Sequence, residues 1–320
     1  MRLFEHEDFE QAILRAAEHH GLSEQFVEKD YYITEILRIV SIQLGERVIF
    51  KGGTSLSKGW GLIKRFSEDI DLFVNPDRFH PRPGKNKINR ILKELTETVA
   101  DYPPLEWMTA EGDTVKGLGR NDVLAYKSHF DGLPGLRAAV RLEPGIQSGD
   151  FPTEKVPIAS LVAQYLREVG PGDLADLDDL EGFDMHLLHF RRTFVEKMFA
   201  LHGKVARLLA EGHPLGRDAR HYSDLHVLAD QHEVRSMLAS PEYEEIKLDY
   251  DARSREFFAR AYRPPPELSF AASAALFPND ALRAQIEPEY EEQCALLFSD
   301  QGYATFEDVL GRFEEIRELI

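Results

Sequence analysis

Residues 48–74 read VIFKGGTSLSKGWGLIKRFSEDIDLFV, and this stretch decides the fold. The short apolar run at residues 47–50 predicts a buried strand that ends at Gly52 and Gly53. A helix is expected to follow through Leu62, and the run DIDLFV predicts a second strand. Strand, glycine turn, helix and strand form one supersecondary unit, which indicates a mixed α/β (α+β) domain.

The glycine turn has the features of an anion-binding site. Gly52 and Gly53 let a ligand approach the backbone, and free N–H groups at the start of a helix attract negative charge. The hydroxyls of Thr54 and Ser55 can add hydrogen bonds, and Lys51 stands just before the turn. The turn therefore predicts a phosphate-binding segment, although glycine pairs also occur in many ordinary turns.

The run DIDLFV carries the second half of the site. Residues i and i+2 of a strand face the same way, so Asp69 and Asp71 share one face while Ile70 and Leu72 are buried on the other. Two carboxylates this close repel each other unless a cation lies between them, and Mg²⁺ binds carboxylates together with substrate phosphate oxygens. Alone, the pattern is typical of a half-exposed edge strand. After a phosphate-type turn, it predicts a site for an NTP and Mg²⁺.

A third carboxylate is available in the run AVRLEPG, which predicts another strand. Glu143 ends that strand and is a candidate metal ligand, the alternative being an ordinary acid at a strand end. The combined site predicts nucleotidyl transfer, in which a hydroxyl attacks the α-phosphorus of an NTP and pyrophosphate leaves. Two Mg²⁺ ions on Asp69 and Asp71 would stabilise the attacking and leaving oxygens.

The motifs resemble those of a known family. A Gly-Gly turn followed by acid–apolar–acid–apolar resembles the polymerase β-like nucleotidyltransferases, with fifteen residues between Gly53 and Asp69, slightly more than usual. The runs FVEKDYYITEIL, FKGGTSLSKGWGL and KRFSEDIDLF are more closely similar to the AbiEii-type toxins of bacterial toxin–antitoxin systems, a group that includes the MenT enzymes. The resemblance is specific over about residues 25–75 and loose to about residue 230.

The resemblance implies further site residues. Ser67, two positions before the first aspartate, would lie at the active site, where this family can carry a modified residue. A lysine on a later helix would bind triphosphate oxygens. Lys197 fits that place, and Lys204 is the alternative.

An aspartate should follow that lysine. Asp224, in RHYSDLHVL, is the first candidate. The commoner family pattern has an acid where His221 stands here, so Asp218 is a possible substitute.

The resemblance also implies a function and its partners. The acceptor would be the 3′ end of a transfer RNA, whose modification blocks aminoacylation, and a cognate antitoxin would be encoded elsewhere. Two alternatives stay open: nucleotidylation of a protein or small molecule, and a nucleotide-binding partner protein without catalysis. Intact Asp69, Asp71 and Lys197 favour an enzyme, because a binding protein needs no paired metal carboxylates.

Composition sets the remaining bounds. The chain has 320 residues, a net charge of -18, and one cysteine, Cys294, so an intramolecular disulfide is excluded. The N-terminus lacks the basic start of a signal peptide and no run is long enough to span a membrane, which favours a cytoplasmic protein.

The acidic balance argues against general nucleic-acid binding, but two segments are basic. Residues 51–93 contain ten Lys and Arg against four acids, and residues 185–222 contain seven against three, which fits an RNA backbone. We expect a nucleotidyltransferase domain at 1–152, with its N-terminal helices, and a mainly helical domain at 153–320 that contributes to the active site.

Overall fold

The computed structural model describes residues 1–63, 67, 69–131, 136–170, 172–174, 177–297 and 302–320. The chain forms two compact units. The first consists of Met1–Gly59, Glu68–Ile146 and Thr153–Leu187, and the second of Trp60–Ser67, Gln147–Pro152 and Leu188–Ile320.

The first unit is built around one mixed sheet with helices. In chain order its elements are α1 (Phe9–His20), α2 (Glu24–Leu44), β1 (Val48–Lys51), α3 (Gly52–Thr54), β2 (Asp69–Val74), α4 (Lys85–Ala100), β3 (Leu105–Trp107), β4 (Asp113–Val115), β5 (Gly119–Tyr126), β6 (Ala139–Gly145), β7 (Thr153–Ile158), α5 (Leu161–Val169) and β8 (Phe183–Leu188). A π-helical turn, Ser55–Gly59, continues α3.

The strands of the sheet lie in the order β3-β5-β6-β2-β1-β8-β7, and β4 pairs with β5. The central pairs are β1 with β2, which is antiparallel, and β2 with β6, which is parallel. This combination of a mixed sheet with many helices confirms the predicted α+β class.

One face of the sheet is covered by helices. Thr96 on α4 donates a hydrogen bond of 2.8 Å to Asp122 on β5, which stands opposite Leu142 of β6. On α2, Tyr32 lies 4.3 Å, ring centre to ring centre, from Tyr126 of β5. Ile70 and Leu72 of β2 point to this buried face and are 0% exposed. Their neighbours Asp69 and Asp71 therefore point to the opposite face.

The second unit is helical. Its helices are α6 (Phe190–Glu211), α7 (His221–Ala229), α8 (His232–Leu238), α9 (Pro241–Phe258), α10 (Asp280–Leu297) and α11 (Phe306–Ile316). The apolar stripe of α6 is its buried side, with Phe194, Met198, Leu201 and Val205 at most 1% exposed. Cys294 is buried on α10.

The structure differs from the sequence predictions in the second half. Residues 153–320 were expected to be mainly helical, but Phe183–Leu188 is a strand that joins the central sheet beside β1, and α6 begins only at Phe190. The strands β7 and β8 belong to the first unit, which therefore extends beyond the expected boundary at residue 152.

Among the residues that the structure describes, no helix is long and apolar enough to cross a membrane.

Candidate active site

Five charged side chains stand in register on the sheet face opposite α2 and α4, which we call the carboxylate face. Strands β2 and β6 run parallel, with Asp69 opposite Arg141 and Asp71 opposite Glu143. Lys51 at the end of β1 is the partner of Asp71 on its other side. Because partners across a ladder share a face, three carboxylates and two cations are grouped beside the turn that follows Lys51.

The third carboxylate has an altered ionisation. Burial raises the pKa of Glu143 to about 7, and the charges of Asp71 and Asp69 add to the rise. Lys51 and Arg141 counter the rise but do not cancel it. Burial and the two aspartates therefore disfavour the charged form of Glu143 more than the two cations favour it. A bound cation would reverse that balance.

The glycine turn is shaped around Asp71. Gly52 has φ +78°, and a Cβ built on it would lie 1.9 Å from Asp71 Oδ2 and 2.6 Å from Asp71 Cγ. A larger residue would displace the carboxylate as well as strain the backbone. Gly52 thus lets the turn and the carboxylate strand approach each other.

The hydroxyls of the turn are used inside the protein. Thr54 donates to the carbonyl oxygen of Asp69 at 2.5 Å, and Ser55 donates to the carbonyl oxygen of Gly52 at 2.9 Å. Both side chains are buried, and they hold the turn against β2. The expected direct contact between these hydroxyls and a phosphate would require them to exchange partners, whereas backbone N–H groups need no such change.

The EKDYY run of α2 supports the same segment. Asp30 accepts a hydrogen bond from the Lys58 ammonium at 2.6 Å and another from the Leu161 N–H at 2.7 Å. Lys58 is on the π-helical turn and also donates to the carbonyl of Ala159 at 3.1 Å. The Asp30–Lys58 pair therefore joins α2, the segment after the glycine turn and the start of α5.

The oxygen donors of the carboxylate face fit Mg²⁺ in their chemistry. Asp69 and Asp71 offer only oxygen atoms, and Mg²⁺ is commonly held by one or two carboxylates while phosphate oxygens and water complete its shell. In the described part of the chain, no group of three or more His, Cys, Asp or Glu side chains is arranged to hold a metal ion alone. A two-carboxylate site completed by substrate fits both facts.

The lysine and aspartate expected from the resemblance form an ion pair in the second unit. Lys197 Nζ on α6 lies 2.9 Å from Asp224 Oδ2 on α7, and the two side chains are 9% and 0% exposed. His221 Nδ1 lies 3.2 Å from the same ammonium. A buried ion pair of this kind fixes the position of the ammonium.

The alternative candidates, Lys204 and Asp218, are connected to this ion pair through His221. Lys204 pairs with Asp218, and Asp218 Oδ1 lies 3.6 Å from His221 Nε2. Lys204 and Asp218 are 43% and 30% exposed, whereas Lys197 is buried. His221 thus lies between the exposed pair and the buried pair.

Ser67 belongs to the second unit and is buried, with 6% of its surface exposed. The structure brings Lys51–Ser55, Asp69, Asp71 and Glu143 together in the first unit. It brings Lys197 and Asp224 together in the second.

Two residues of the first unit were not found from the sequence. Arg141 lies two positions before Glu143, and the alternation of the strand that placed Glu143 also places Arg141 on the carboxylate face. Lys58 resembles a solvated helix lysine in the sequence. Its partner Asp30 is distant along the chain, so no local pattern shows the pair.

Comparisons with known proteins identify the family and the fold. The family model described as "Nucleotidyl transferase AbiEii toxin, Type IV TA system" matches residues 36–312. The solved structure of MenT4, a nucleotidyltransferase toxin from Mycobacterium tuberculosis H37Rv, superposes with a TM-score of 0.51 at 16% identity and covers 96% of each chain. At that identity the superposition supports the fold alone. A comparison with curated proteins gives no significant match.

The family match extends well beyond the residues 25–75 that carry the motifs. It includes both units and the helices in which no resemblance was recognised from the sequence. The chain therefore belongs to the AbiEii family of nucleotidyl transferase toxins, the toxins of type IV toxin–antitoxin systems.

Proposed function

We propose that this nucleotidyltransferase transfers a nucleoside monophosphate from an NTP to an RNA acceptor, the 3′ end of a tRNA, in a Mg²⁺-dependent reaction. The observation that carries the proposal is the position of Asp69 and Asp71 on one sheet face beside Gly52. A phosphate turn next to paired carboxylates provides the two surfaces that a triphosphate and a divalent cation need.

The chemistry balances as a single displacement. The oxygen of the acceptor hydroxyl forms a bond to the α-phosphorus, and the bond from that phosphorus to the bridging oxygen breaks. Pyrophosphate leaves with the electron pair, and the hydroxyl proton passes to water. Bound Mg²⁺ would neutralise charge on the phosphates and orient them.

The residues of the first unit have separate roles in this proposal. Asp69 and Asp71 hold the metal, with Glu143 as the third carboxylate of the face. The backbone N–H groups of the turn from Gly52 and the ammonium of Lys51 bind the outer phosphates, because a helix start and a cation both favour anions.

Lys197 and Asp224 are proposed as further essential residues. The resemblance gives Lys197 the role of binding triphosphate oxygens. The buried ion pair supports an assignment in which Asp224 positions the ammonium rather than contacting substrate. Ser67 is proposed as a regulatory position, since phosphorylation there would add close to two negative charges.

The basic helix α4 supports a large acceptor. Lys85, Lys87 and Arg90 are exposed on α4, which packs on the sheet face opposite Asp69 and Asp71. An acceptor that contacts both faces must reach around the sheet, which a folded RNA can do and a small molecule cannot. We place the reaction in the cytoplasm, where tRNA is found, and expect a cognate antitoxin to oppose it.

The test is incubation with each α-³²P-labelled NTP, Mg²⁺, total RNA and a bacterial lysate, followed by separation of RNA from protein. Label in a tRNA-sized band, absent with Asp71→Asn, is the expected result. Label in protein would indicate the alternative protein acceptor. NTP binding without any transfer would indicate a nucleotide-binding partner protein, and either outcome would contradict the proposal.

A further inference from the structure

We propose that Arg141 is the acceptor-binding residue and that it recognises a phosphate of the RNA backbone next to the attacking hydroxyl. This inference rests on the proposed function and makes its acceptor more specific: a nucleic-acid chain end rather than a protein hydroxyl or a small molecule.

Arg141 stands among the carboxylates without being closed onto them. Its Nε lies 3.9 Å from Asp69 Oδ1, and its Nη1 lies 3.9 Å from Glu143 Oε1. Hydrogen bonds between a guanidinium and a carboxylate are about 2.7–2.9 Å long. Both contacts are therefore electrostatic only, and the donors of the guanidinium are not used by these carboxylates.

A comparison with Arg120 shows the difference. Arg120 on β5 donates two hydrogen bonds of 2.8 Å to the buried carboxylate of Asp122, so its guanidinium is held on the helix-covered side. The side chain of Arg141 is 44% exposed. Of these two arginines, Arg141 is the one on the carboxylate face, and its exposed side chain is accessible to a ligand from solvent.

The order of the strands places Arg141 on the side from which an acceptor must come. The glycine turn follows β1, and β2 and β6 lie beyond it in that order. Adjacent strands are about 4.8 Å apart, so Arg141 on β6 is on the order of 10 Å from the strand that ends at the turn. Outer phosphates bound at the turn would leave the α-phosphorus near Asp69 and Asp71, between the turn and Arg141.

Displacement at phosphorus proceeds with the attacking and leaving oxygens roughly in line. Pyrophosphate leaving toward the β1 turn therefore requires the hydroxyl to arrive from the β6 side, where Arg141 and Glu143 stand. An RNA phosphate brought there would be repelled by Asp69 and Glu143. The Arg141 guanidinium makes no hydrogen bond to Asp69 or Glu143, so it can offset that repulsion and bind the phosphate in a bidentate manner.

The experiment compares Arg141→Gln and Arg141→Lys with wild type and with Arg137→Gln. Arg137 is a matched control because its exposed side chain pairs with Glu111, at 2.7 Å for Nη2, and its loss changes the net charge equally. Thermal melts first establish that each variant is folded. The measurements are the Kd for a non-hydrolysable NTP analogue, the KM for tRNA, and the dependence of that KM on salt.

For Arg141→Gln we expect the KM for tRNA to rise about tenfold or more, because a bidentate contact to a charged group is lost. The slope of log KM against log salt concentration should fall by about one, as expected for the loss of one phosphate contact. The Kd for the NTP analogue should stay within about twofold, and Arg141→Lys should be intermediate because it keeps the charge without the planar fork. Arg137→Gln should resemble wild type.

The outcomes separate this inference from the proposed function. If wild type labels tRNA but Arg141→Gln has an unchanged KM and salt slope, or weakens only NTP binding, Arg141 does not bind the acceptor. If wild type labels no RNA, the proposed function fails, and the inference fails with it.

Discussion

The carboxylate of Asp71 lies in the space that a side chain on Gly52 would occupy, with Oδ2 1.9 Å from the position of the absent Cβ. The glycine turn and the carboxylate strand β2, proposed to bind phosphate and metal, therefore depend on each other. A change in either residue is expected to disturb both functions, and the first two predictions concern this relationship.

Gly52→Ala should abolish transfer. The methyl group would displace Asp71 and would also strain a backbone with φ +78°. Gly21→Ala is the matched control, because Gly21 has φ +64° with nothing within 4 Å of the built Cβ. We expect the control to lose about 1–2 kcal/mol of stability and to keep full activity. Rates of NMP incorporation at equal folded concentration check this, and an active Gly52→Ala enzyme would show that the close approach is unnecessary.

Asp69→Asn and Asp71→Asn should each reduce transfer below detection while leaving the fold intact. Each amide removes a metal-binding charge, and it also removes repulsion within the carboxylate group. The Tm measured without divalent cations should therefore be equal to or higher than that of wild type. Addition of Mg²⁺ with an NTP should raise the Tm of wild type only, and equal activity in either variant would contradict the metal-binding role.

The raised pKa of Glu143 predicts that the free energy of unfolding of the wild-type protein depends on pH. The pKa of Glu143 is raised to about 7 in the folded protein, mainly by burial, whereas in the unfolded chain the side chain keeps the ordinary glutamate pKa of 4.5. The unfolded state therefore ionises first as pH rises, and wild type loses stability between pH 4.5 and about 7. At 1.36 kcal/mol per pKa unit the loss is at most about 3 kcal/mol, and the partial exposure of Glu143 reduces it to about 1–2 kcal/mol.

Glu143→Gln should lack that loss. In metal-free buffer its free energy of unfolding should match wild type near pH 4.5 and exceed it above pH 7. Urea unfolding at several pH values measures the difference. A gap that is constant with pH would show that Glu143 titrates normally in the folded protein.

Lys197 and Asp224 provide a test of the second unit. Removing one partner of a buried pair leaves an uncompensated charge, so Asp224→Asn should lose activity and about 3–5 kcal/mol of stability. Lys204→Met breaks the more exposed pair with Asp218, and should cost less than about 1 kcal/mol with activity retained. Both are followed by thermal melts and transfer rates. If Lys204→Met were the inactive variant, the assignment of Lys197 would be reversed.

Ser67→Glu should be inactive, since a permanent negative charge there would repel the triphosphate. Ser67→Ala should keep partial activity, because a hydroxyl can position substrate without being a metal ligand. Incorporation is compared at equal folded concentration. A glutamate variant as active as wild type would exclude Ser67 from regulation.

The strand alternation around Asp69 and Asp71 was predictable because each step depends on neighbouring residues. The glycine turn and the α+β class were predictable for the same reason. The strand Phe183–Leu188 was not, because its FDMHLL run continues directly into a helical apolar pattern and its pairing with β1 is long-range. Arg141 and the Asp30–Lys58 pair were also missed, since their importance arises from partners brought together only by the fold.

The fate of the two ends of the triphosphate tests the central claim most directly. Wild type and Asp71→Asn are incubated with tRNA, Mg²⁺ and NTP labelled with ³²P at either the α- or the γ-phosphorus. We predict that wild type transfers the α label to tRNA and releases the γ label as pyrophosphate. The Asp71→Asn variant should do neither. Transfer of the γ label, or an unaffected Asp71→Asn enzyme, would contradict nucleotidyl transfer at this site.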